Sequence, residues 1–176
     1  MVMDKKYGIS ILLIILFIYK GSANSSNPAS LGLKGDTADV QTITHSGYLL
    51  MGGSTDVDVA VKWFLERSGG GDIVVLRASG SNAYNDYMFG LGKVNSVETL
   101  LINNPLLANN SLVAKTIRQA EGLFIAGGNQ WNYIHLWNHS PVGDAINYLI
   151  NIKKVPVGGT SASCAVLGEL SYDAHK

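Results

Sequence analysis

Residues 157–168 read VGGTSASCAVLG, and this stretch guides the interpretation of the rest of the sequence. The run Val155–Val157 is short and apolar, as a buried strand is, and the glycines and small residues that follow it permit a tight turn into a helix. Gly159–Ser163 matches the G-x-S-x-G pattern of a nucleophile elbow except in its last position, where Ser163 stands instead of glycine. The pattern therefore predicts a strand–turn–helix unit with Ser161 at the turn.

Two interpretations of this unit follow from its residues. In the first, Ser161 is a nucleophile, and the backbone N–H of Ala162 at the helix N-terminus donates to a developing oxyanion. In the second, Thr160 or Ser161 only caps a helix that follows a buried strand. The stretch alone does not separate them.

Strands of the same kind are predicted along most of the chain. The short apolar runs are Tyr48–Met51, Ile73–Leu76, Val97–Ile102, Leu123–Ala126 and Val155–Val157. Segments with helical spacing lie between them, and we predict helices over Thr55–Arg67, Ser111–Glu121 and Pro141–Lys154. This alternation predicts an α/β fold, a mainly parallel sheet flanked by helices.

The first predicted helix has the clearest apolar face. Its apolar residues recur at the spacing i, i+3, i+4, i+7, i+8, which places them on one side of a helix. We expect these five side chains to pack on the sheet: Val57, Ala60, Val61, Phe64 and Leu65.

Glycine and small polar residues follow four of the predicted strands. Ligands of parallel sheets bind beyond the carboxyl ends of the strands, so these segments are candidate site residues. Gly127 and Gly128 are candidate oxyanion donors, because backbone without a side chain can approach a substrate carbonyl closely. The candidate residues of the substrate cleft are Gly53, Ser79, Asn129 and Gln130.

Composition excludes several classes of function. Thirteen basic residues balance 13 acidic ones without forming the basic stripe that nucleic-acid binding requires. No His, Cys and Asp cluster has the spacing of metal ligands, and no cofactor is predicted. The single cysteine, Cys164, lies beyond the elbow without flanking glycines and is interpreted as a thiol of the core.

The N-terminus has the pattern of a secretory signal peptide over residues 1–23. Lys5 and Lys6 precede an apolar run at residues 11–19, which is followed by small residues up to Ala23. The run is shorter than the roughly 20 residues of a membrane span, so we expect cleavage, export to the extracellular space and no stable membrane span afterwards. The alternative is an uncleaved anchor. Residues 24–46 are polar, without a sustained period, and are predicted to be a partly ordered lead-in.

The co-linear motifs of residues 47–176 resemble a known family. GGSTDVDVAVKWFLERSGGGDIVVLRASGSNAYNDY (52–87), VNSVETLLIN (94–103), FIAGGNQ (124–130) and GGTSASCAVLGE (158–169) are similar to the cyanophycinase branch of the peptidase E-like serine peptidases. The resemblance implies a class I glutamine-amidotransferase-like, flavodoxin-like fold and a peptide or isopeptide substrate. It also implies that Ser161 is the nucleophile and that Gly127–Gln130 lines the oxyanion side of the cleft.

The sequence departs from that family in two ways. Ser163 replaces the last glycine of the family's GTSAG motif, which puts a hydroxymethyl group where a backbone contact is expected. The family's catalytic histidine and acid lie well beyond the serine, and no residue before Lys176 matches them. We therefore expect the N-terminal portion of the hydrolytic domain, incomplete at its C-terminus, with no histidine within reach of Ser161 and little turnover by this chain. The alternative is a non-catalytic secreted binding protein that uses the same cleft.

Overall fold

A computed structural model describes residues 26–168 and 170–172 of the chain. The strands are β1 (Ser30–Gly35), β2 (Gly47–Met51), β3 (Asp72–Arg77), β4 (Ser96–Leu101), β5 (Gly122–Ile125) and β6 (Pro156–Thr160). The helices are α1 (Asp58–Arg67), α2 (Ala83–Leu91), α3 (Pro105–Ala108), α4 (Ser111–Gln119), α5 (Gln130–Trp137), α6 (Pro141–Tyr148) and α7 (Ala162–Val166). A π-helical turn, Leu149–Lys153, continues α6. The predicted signal peptide lies outside the described residues.

All six strands form one sheet in the order β1-β4-β3-β5-β6-β2. The five strands predicted from the apolar runs pair in parallel, and only β1 runs antiparallel, against β4. The predicted α/β class, with a mostly parallel sheet between helices, is confirmed. The chain reverses its direction of travel across the sheet after β4, so the carboxyl ends of β3 and β5 are adjacent at a topological switch point.

Helices cover both faces of the sheet because the parallel strands are apolar on both sides. On one face, α1 and α2 contribute Val61, Phe64, Leu65 and Met88 to a fully buried cluster. On the other face, α4 to α7 form a larger cluster with Ile117, Tyr133, Trp137, Val142 and Ala162 among its members. Among the described helices, none combines the length and apolarity needed to cross a bilayer.

The strand β1 was not predicted from the sequence. It lies within residues 24–46, the segment expected to be a partly ordered lead-in, and it pairs with β4 from Ser30 to Gly35. Its sequence SLGLKG contains two glycines at positive φ and a bulge in the pairing, so it lacks the alternating pattern by which strands are recognised. The sheet therefore begins before Gly47.

The predicted helix boundaries were too generous. The first helix begins at Asp58 rather than Thr55, and Val57 is its N-cap residue with 55% of its surface exposed, so the prediction that Val57 packs on the sheet was wrong. Ala60 is half-buried, and the other three predicted residues are buried. The helix predicted to end at Glu121 ends at Gln119, which leaves Glu121 free to enter the base of the sheet.

Candidate active site at the carboxyl edge of the sheet

Ser161 occupies a single-residue turn between β6 and α7. Its backbone has φ 58° and ψ −123°, a combination that costs an L-residue free energy and is found mainly at functional turns. The Ser161 N–H donates to the carbonyl of Met51 at the end of β2, with N and O 2.9 Å apart. The Ser161 side chain is exposed and makes no capping hydrogen bond to α7. The helix-cap interpretation of this serine is therefore not supported, and the backbone has the conformation expected of an elbow.

Two glycines surround the Ser161 side chain. A Cβ atom at Gly53 would lie 3.2 Å from the Ser161 Cβ and 3.4 Å from its Oγ, and Gly53 also has a φ of 114°. A Cβ atom at Gly127 would lie 3.3 Å from the same Cβ. The turns that follow β2 and β5 therefore reach the serine through bare backbone, as was predicted for residues at neighbouring strand ends.

The helix after the elbow packs closely beneath it. A Cβ atom at Gly159 would lie 3.0 Å from the carbonyl carbon of Ser163, which explains why glycine precedes the turn. The departure from the G-x-S-x-G pattern is accommodated, because Ser163 is fully buried and its Oγ donates to the carbonyl oxygen of Ala126. Tyr133 Oη donates to the same oxygen at 2.7 Å. The hydroxymethyl group thus fills a hydrogen-bonding position instead of causing a clash.

The turn Gly127–Gln130 joins β5 to α5 beside the serine. Gly128 is exposed, and a Cβ atom there would meet the Tyr133 hydroxyl at 2.3 Å. Asn129 caps α5, because its Oδ1 accepts from the N–H of Trp131 at 2.9 Å. Gln130 is the first residue of α5 and is half-buried. Of the predicted site residues in this turn, Gly127 lies against Ser161, while Asn129 and Gln130 lie further along the chain at the start of α5.

Ser79 lies in a different loop of the same edge. Its carbonyl oxygen accepts from Arg77 Nε at 2.8 Å, and Arg77 Nη1 donates to the carbonyl of Ser81 at 2.9 Å. Within the described part of the chain, no hydrogen bond joins Ser79 to Ser161. The arginine holds the loop after β3, while the Ser79 side chain is exposed.

Sequence reasoning missed two tyrosine–aspartate pairs that join α2 to the start of α1. Tyr84 donates to Asp56 and Tyr87 donates to Asp58, both at 2.8 Å, and the four residues line a cavity of about 430 Å³ with Thr55 and Ala83. Burial raises the pKa of Tyr84, and the bond to Asp56 adds to it; burial and the bond to Asp58 raise the pKa of Tyr87 to about 12. The sequence did contain a signal for these pairs. The two aspartates are two positions apart in DVD (56–58), and the two tyrosines are three positions apart in YNDY (84–87).

None of the histidines that the structure describes is paired with Ser161 as a base. His135 stacks on Trp131 with ring centroids 4.9 Å apart, and neither it nor His45 nor His139 hydrogen-bonds to the Ser161 hydroxyl. His175 lies outside the described residues. Within residues 26–168 and 170–172, no group of three or more His, Cys, Asp or Glu side chains is arranged to hold a metal ion.

The fold and the turn define a class, an α/β domain with a strained serine between a parallel strand and a helix. Comparison with known proteins agrees with that class. The chain is 28% identical over 149 residues to the cyanophycinases of Synechococcus elongatus and Thermosynechococcus vestitus, covering 76% of this chain and 46% of each relative. The chain thus spans less than half the length of these relatives. No family model matches the sequence.

A solved structure supports the fold. The crystal structure of a peptidase from an acI-B1 Actinobacterium superimposes with a TM-score of 0.51 at 16% identity, covering 72% of this chain and 58% of that chain. At this identity the likeness concerns the fold alone. The likeness agrees with the mostly parallel sheet between helices that the described residues form.

Proposed function

We propose that this chain carries the nucleophile of a serine-type peptidase, which hydrolyses peptide or isopeptide bonds at aspartyl residues. The observation that carries the proposal is the backbone of Ser161, a non-glycine residue at φ 58° between β6 and α7. A folded chain tolerates a residue with this strained backbone when the surrounding structure holds it in place. The conformation exposes the Ser161 hydroxyl, as a nucleophile elbow does. The relatives named cyanophycinase support the class of substrate.

The serine hydroxyl would attack the substrate carbonyl, and the amine would leave with the proton that the serine gives up. Water would then hydrolyse the resulting acyl ester and free the serine. The N–H groups of Ala162 and Gly127, or of Gly128, would stabilise the oxyanion that forms, because their backbone lies next to Ser161 or in the adjoining turn. A general base must accept the serine proton, and we propose that it comes from outside the described residues, since a serine without an adjacent base is a weak nucleophile at neutral pH.

Activity measurements test the proposal. We expect the longest gene product that contains this chain to release the amine from a β-aspartyl dipeptide, and Ser161→Ala to lower kcat by several orders of magnitude. Ser111→Ala, an exposed serine at the start of α4, is the matched control and should leave kcat unchanged. The 176-residue chain should show little turnover. Full activity of Ser161→Ala would disprove the proposal.

A second function uses the same cleft without catalysis. It is favoured by one observation, that none of the described histidines contacts the Ser161 hydroxyl. A binding protein would retain a β-aspartyl dipeptide with equal affinity in the wild type and in Ser161→Ala, and neither would release product. Isothermal titration of both proteins, beside the turnover assay, separates the two functions.

We also propose that residues 1–23 direct export and are removed. The order of basic, apolar and small residues in the sequence supports this. N-terminal sequencing of secreted protein should then begin at Asn24. Recovery of the protein with Met1 intact in a membrane fraction would contradict the proposal and favour the anchor.

A further inference from the structure

Two buried hydroxyl groups converge on one carbonyl oxygen beside the candidate nucleophile. The oxygen is that of Ala126, and the donors are Ser163 Oγ and Tyr133 Oη. We propose that Ser163 and Tyr133 are positioning residues, which hold the Ala126–Gly127 peptide so that the Gly127 N–H faces the Ser161 side of the cleft. This inference rests on the proposed function, because a fixed donor matters only if an oxyanion forms there.

The geometry of a peptide links the buried bond to the exposed donor. A trans peptide is planar, and its C=O and N–H groups point in opposite directions. No cis peptide bond occurs among the described residues, so the bonds that draw the Ala126 carbonyl into the protein turn the Gly127 N–H outward. Gly127 is also the residue of this turn that approaches the serine most closely, since a Cβ atom there would lie 3.3 Å from Ser161 Cβ.

Both donors are held rigidly. Ser163 has no exposed surface and Tyr133 has 2%. The Tyr133 ring stacks on Trp137 with centroids 4.6 Å apart, and Trp137 Nε1 donates to the carbonyl of Ile102 at 3.0 Å. A carbonyl oxygen has two lone pairs, so the two hydroxyls can bind it together. The peptide is thus anchored by α5 through the tyrosine and by α7 through the serine.

The position of Ser163 gives the inference its specificity. It is the position at which the motif departs from G-x-S-x-G, and a glycine there could donate nothing to Ala126. In this chain the helix that follows the nucleophile therefore also controls the orientation of the opposite turn. The nucleophile Ser161 and the residue that holds the proposed oxyanion donor, Ser163, are thus only two positions apart in the sequence.

Isosteric variants of the longest gene product test the coupling. The variants are Ser163→Ala, Tyr133→Phe and the double variant. The matched controls are Ser111→Ala and Tyr172→Phe, which make the same changes at exposed residues. We expect kcat for a β-aspartyl dipeptide to fall about tenfold in each single variant, because the donor is loosened and not removed. In the double variant it should fall about a hundredfold, the lower end of the range found when one oxyanion donor is lost. KM should change less than twofold, because the donor acts in the transition state.

A second measurement does not depend on activity. In the ¹⁵N-labelled 176-residue chain, the amide resonances of Gly127 and Gly128 should shift and broaden in both single variants, because the peptide loses part of its fixed orientation. The amide of Gly71, which donates to Ser68 at the opposite edge of the sheet, should not change. If circular dichroism shows that Ser163→Ala is poorly folded, Ser163→Cys takes its place, because a thiol keeps the volume and is a weak donor. Ser163→Cys should recover part of the kcat that Ser163→Ala loses.

The outcomes distinguish this inference from the proposed function. An inactive wild type with shifted and broadened Gly127 resonances in the variants would end the proposed function and leave the positioning intact. An unchanged Gly127 amide resonance in Ser163→Ala and Tyr133→Phe would overturn the inference whether or not the protein is active. So would a fall in activity that is due to KM alone.

Discussion

The two ends of the parallel strands are built on opposite principles. At the carboxyl end, Ser161 combines φ 58° with ψ −123°, which lies outside the regions that L-residues favour, and the serine side chain is exposed. At the amino end, Glu121 has no exposed surface, and its two carboxylate oxygens bind Lys153 Nζ at 2.8 Å and the N–H of Asp72 at 3.0 Å. One end holds backbone strain around an exposed hydroxyl, and the other satisfies every oxygen of a buried charge.

The amino end is tied together by further bonds from the same residues. Lys153 Nζ also donates to the carbonyls of Gln119 and Ala120, while Asp72 accepts from the Asn95 side chain at 2.8 Å and from the N–H of Val40 at 3.1 Å. A charge in this position is tolerated only when it is fully paired. The comparison indicates that stability is concentrated at the amino end, while the carboxyl end gives up stability for the site.

The largest effect is expected from Lys153→Met, which leaves Glu121 buried without its cation. Removing one partner of a buried pair costs about 3–5 kcal/mol of unfolding free energy. Lys154→Met is the control, because Lys154 is exposed and adjacent, and it should cost little. Urea unfolding of both variants measures the difference.

The pH dependence of that variant provides a second check. Burial already raises the pKa of Glu121, and losing Lys153, which lowers it, should raise it further. A raised folded-state pKa means that stability is lost as the pH rises through it and regained as the pH falls toward the unfolded value of about 4.3. The deficit of Lys153→Met should therefore shrink in acid. A deficit independent of pH would contradict this account.

A smaller effect is expected from Gly53→Ala at the carboxyl end. Alanine at this position would have to keep a φ of 114°, and its Cβ would lie 3.2 Å from Ser161 Cβ. About 1–3 kcal/mol of unfolding free energy should therefore be lost, together with any activity. Gly52→Ala is a close control, since a Cβ atom there meets nothing within 4 Å. Thermal unfolding should distinguish the neighbours. Equal melting temperatures would show that the turn is not strained.

Removing the strain at Ser161 should stabilise the protein. Glycine adopts φ 58° and ψ −123° freely, so Ser161→Gly should be more stable than Ser161→Ala by about 1 kcal/mol, since both lack the hydroxyl and differ in backbone preference. Chemical denaturation of the two variants measures this difference. A Ser161→Ala variant as stable as Ser161→Gly would refute the idea that strain is stored there.

The smallest effect concerns the tyrosine–aspartate pair of Tyr87 and Asp58. Asp58→Asn should lower the pKa of Tyr87 from about 12 toward its ordinary value, because the carboxylate that favours the neutral phenol is lost. The stability linked to this shift is present below about pH 10 and disappears as the pH rises through the folded-state pKa. Phenolate absorbance during an alkaline titration reports it. Asp144→Asn, at an exposed residue of α6, should leave the titration unchanged.

The sequence was informative where local pattern determines structure. Apolar runs predicted five strands. The rule that sites lie at the carboxyl ends of parallel strands selected Gly53, Gly127 and Ser161, which are neighbours in the fold. It was uninformative where tertiary pairing decides, as in β1, whose glycines and bulge are stabilised only by pairing with β4. The roles of Ser163 and Tyr133 were also missed, because their shared acceptor is a backbone oxygen whose direction no residue pattern reveals.

The π-helical turn Leu149–Lys153 has a consequence for how this sequence tolerates change in length. The hydrogen bonds of a π turn span five residues where those of an α turn span four, so this turn contains one residue more than a turn of the α-helix that precedes it. A one-residue deletion within the turn would give an ordinary α-helix without disturbing α6. Lys153 would stay on the same side of the helix, because three α-helical steps and four π-helical steps turn through nearly the same angle. The ion pair between Lys153 and the fully buried Glu121 should therefore survive the loss of one residue from this turn.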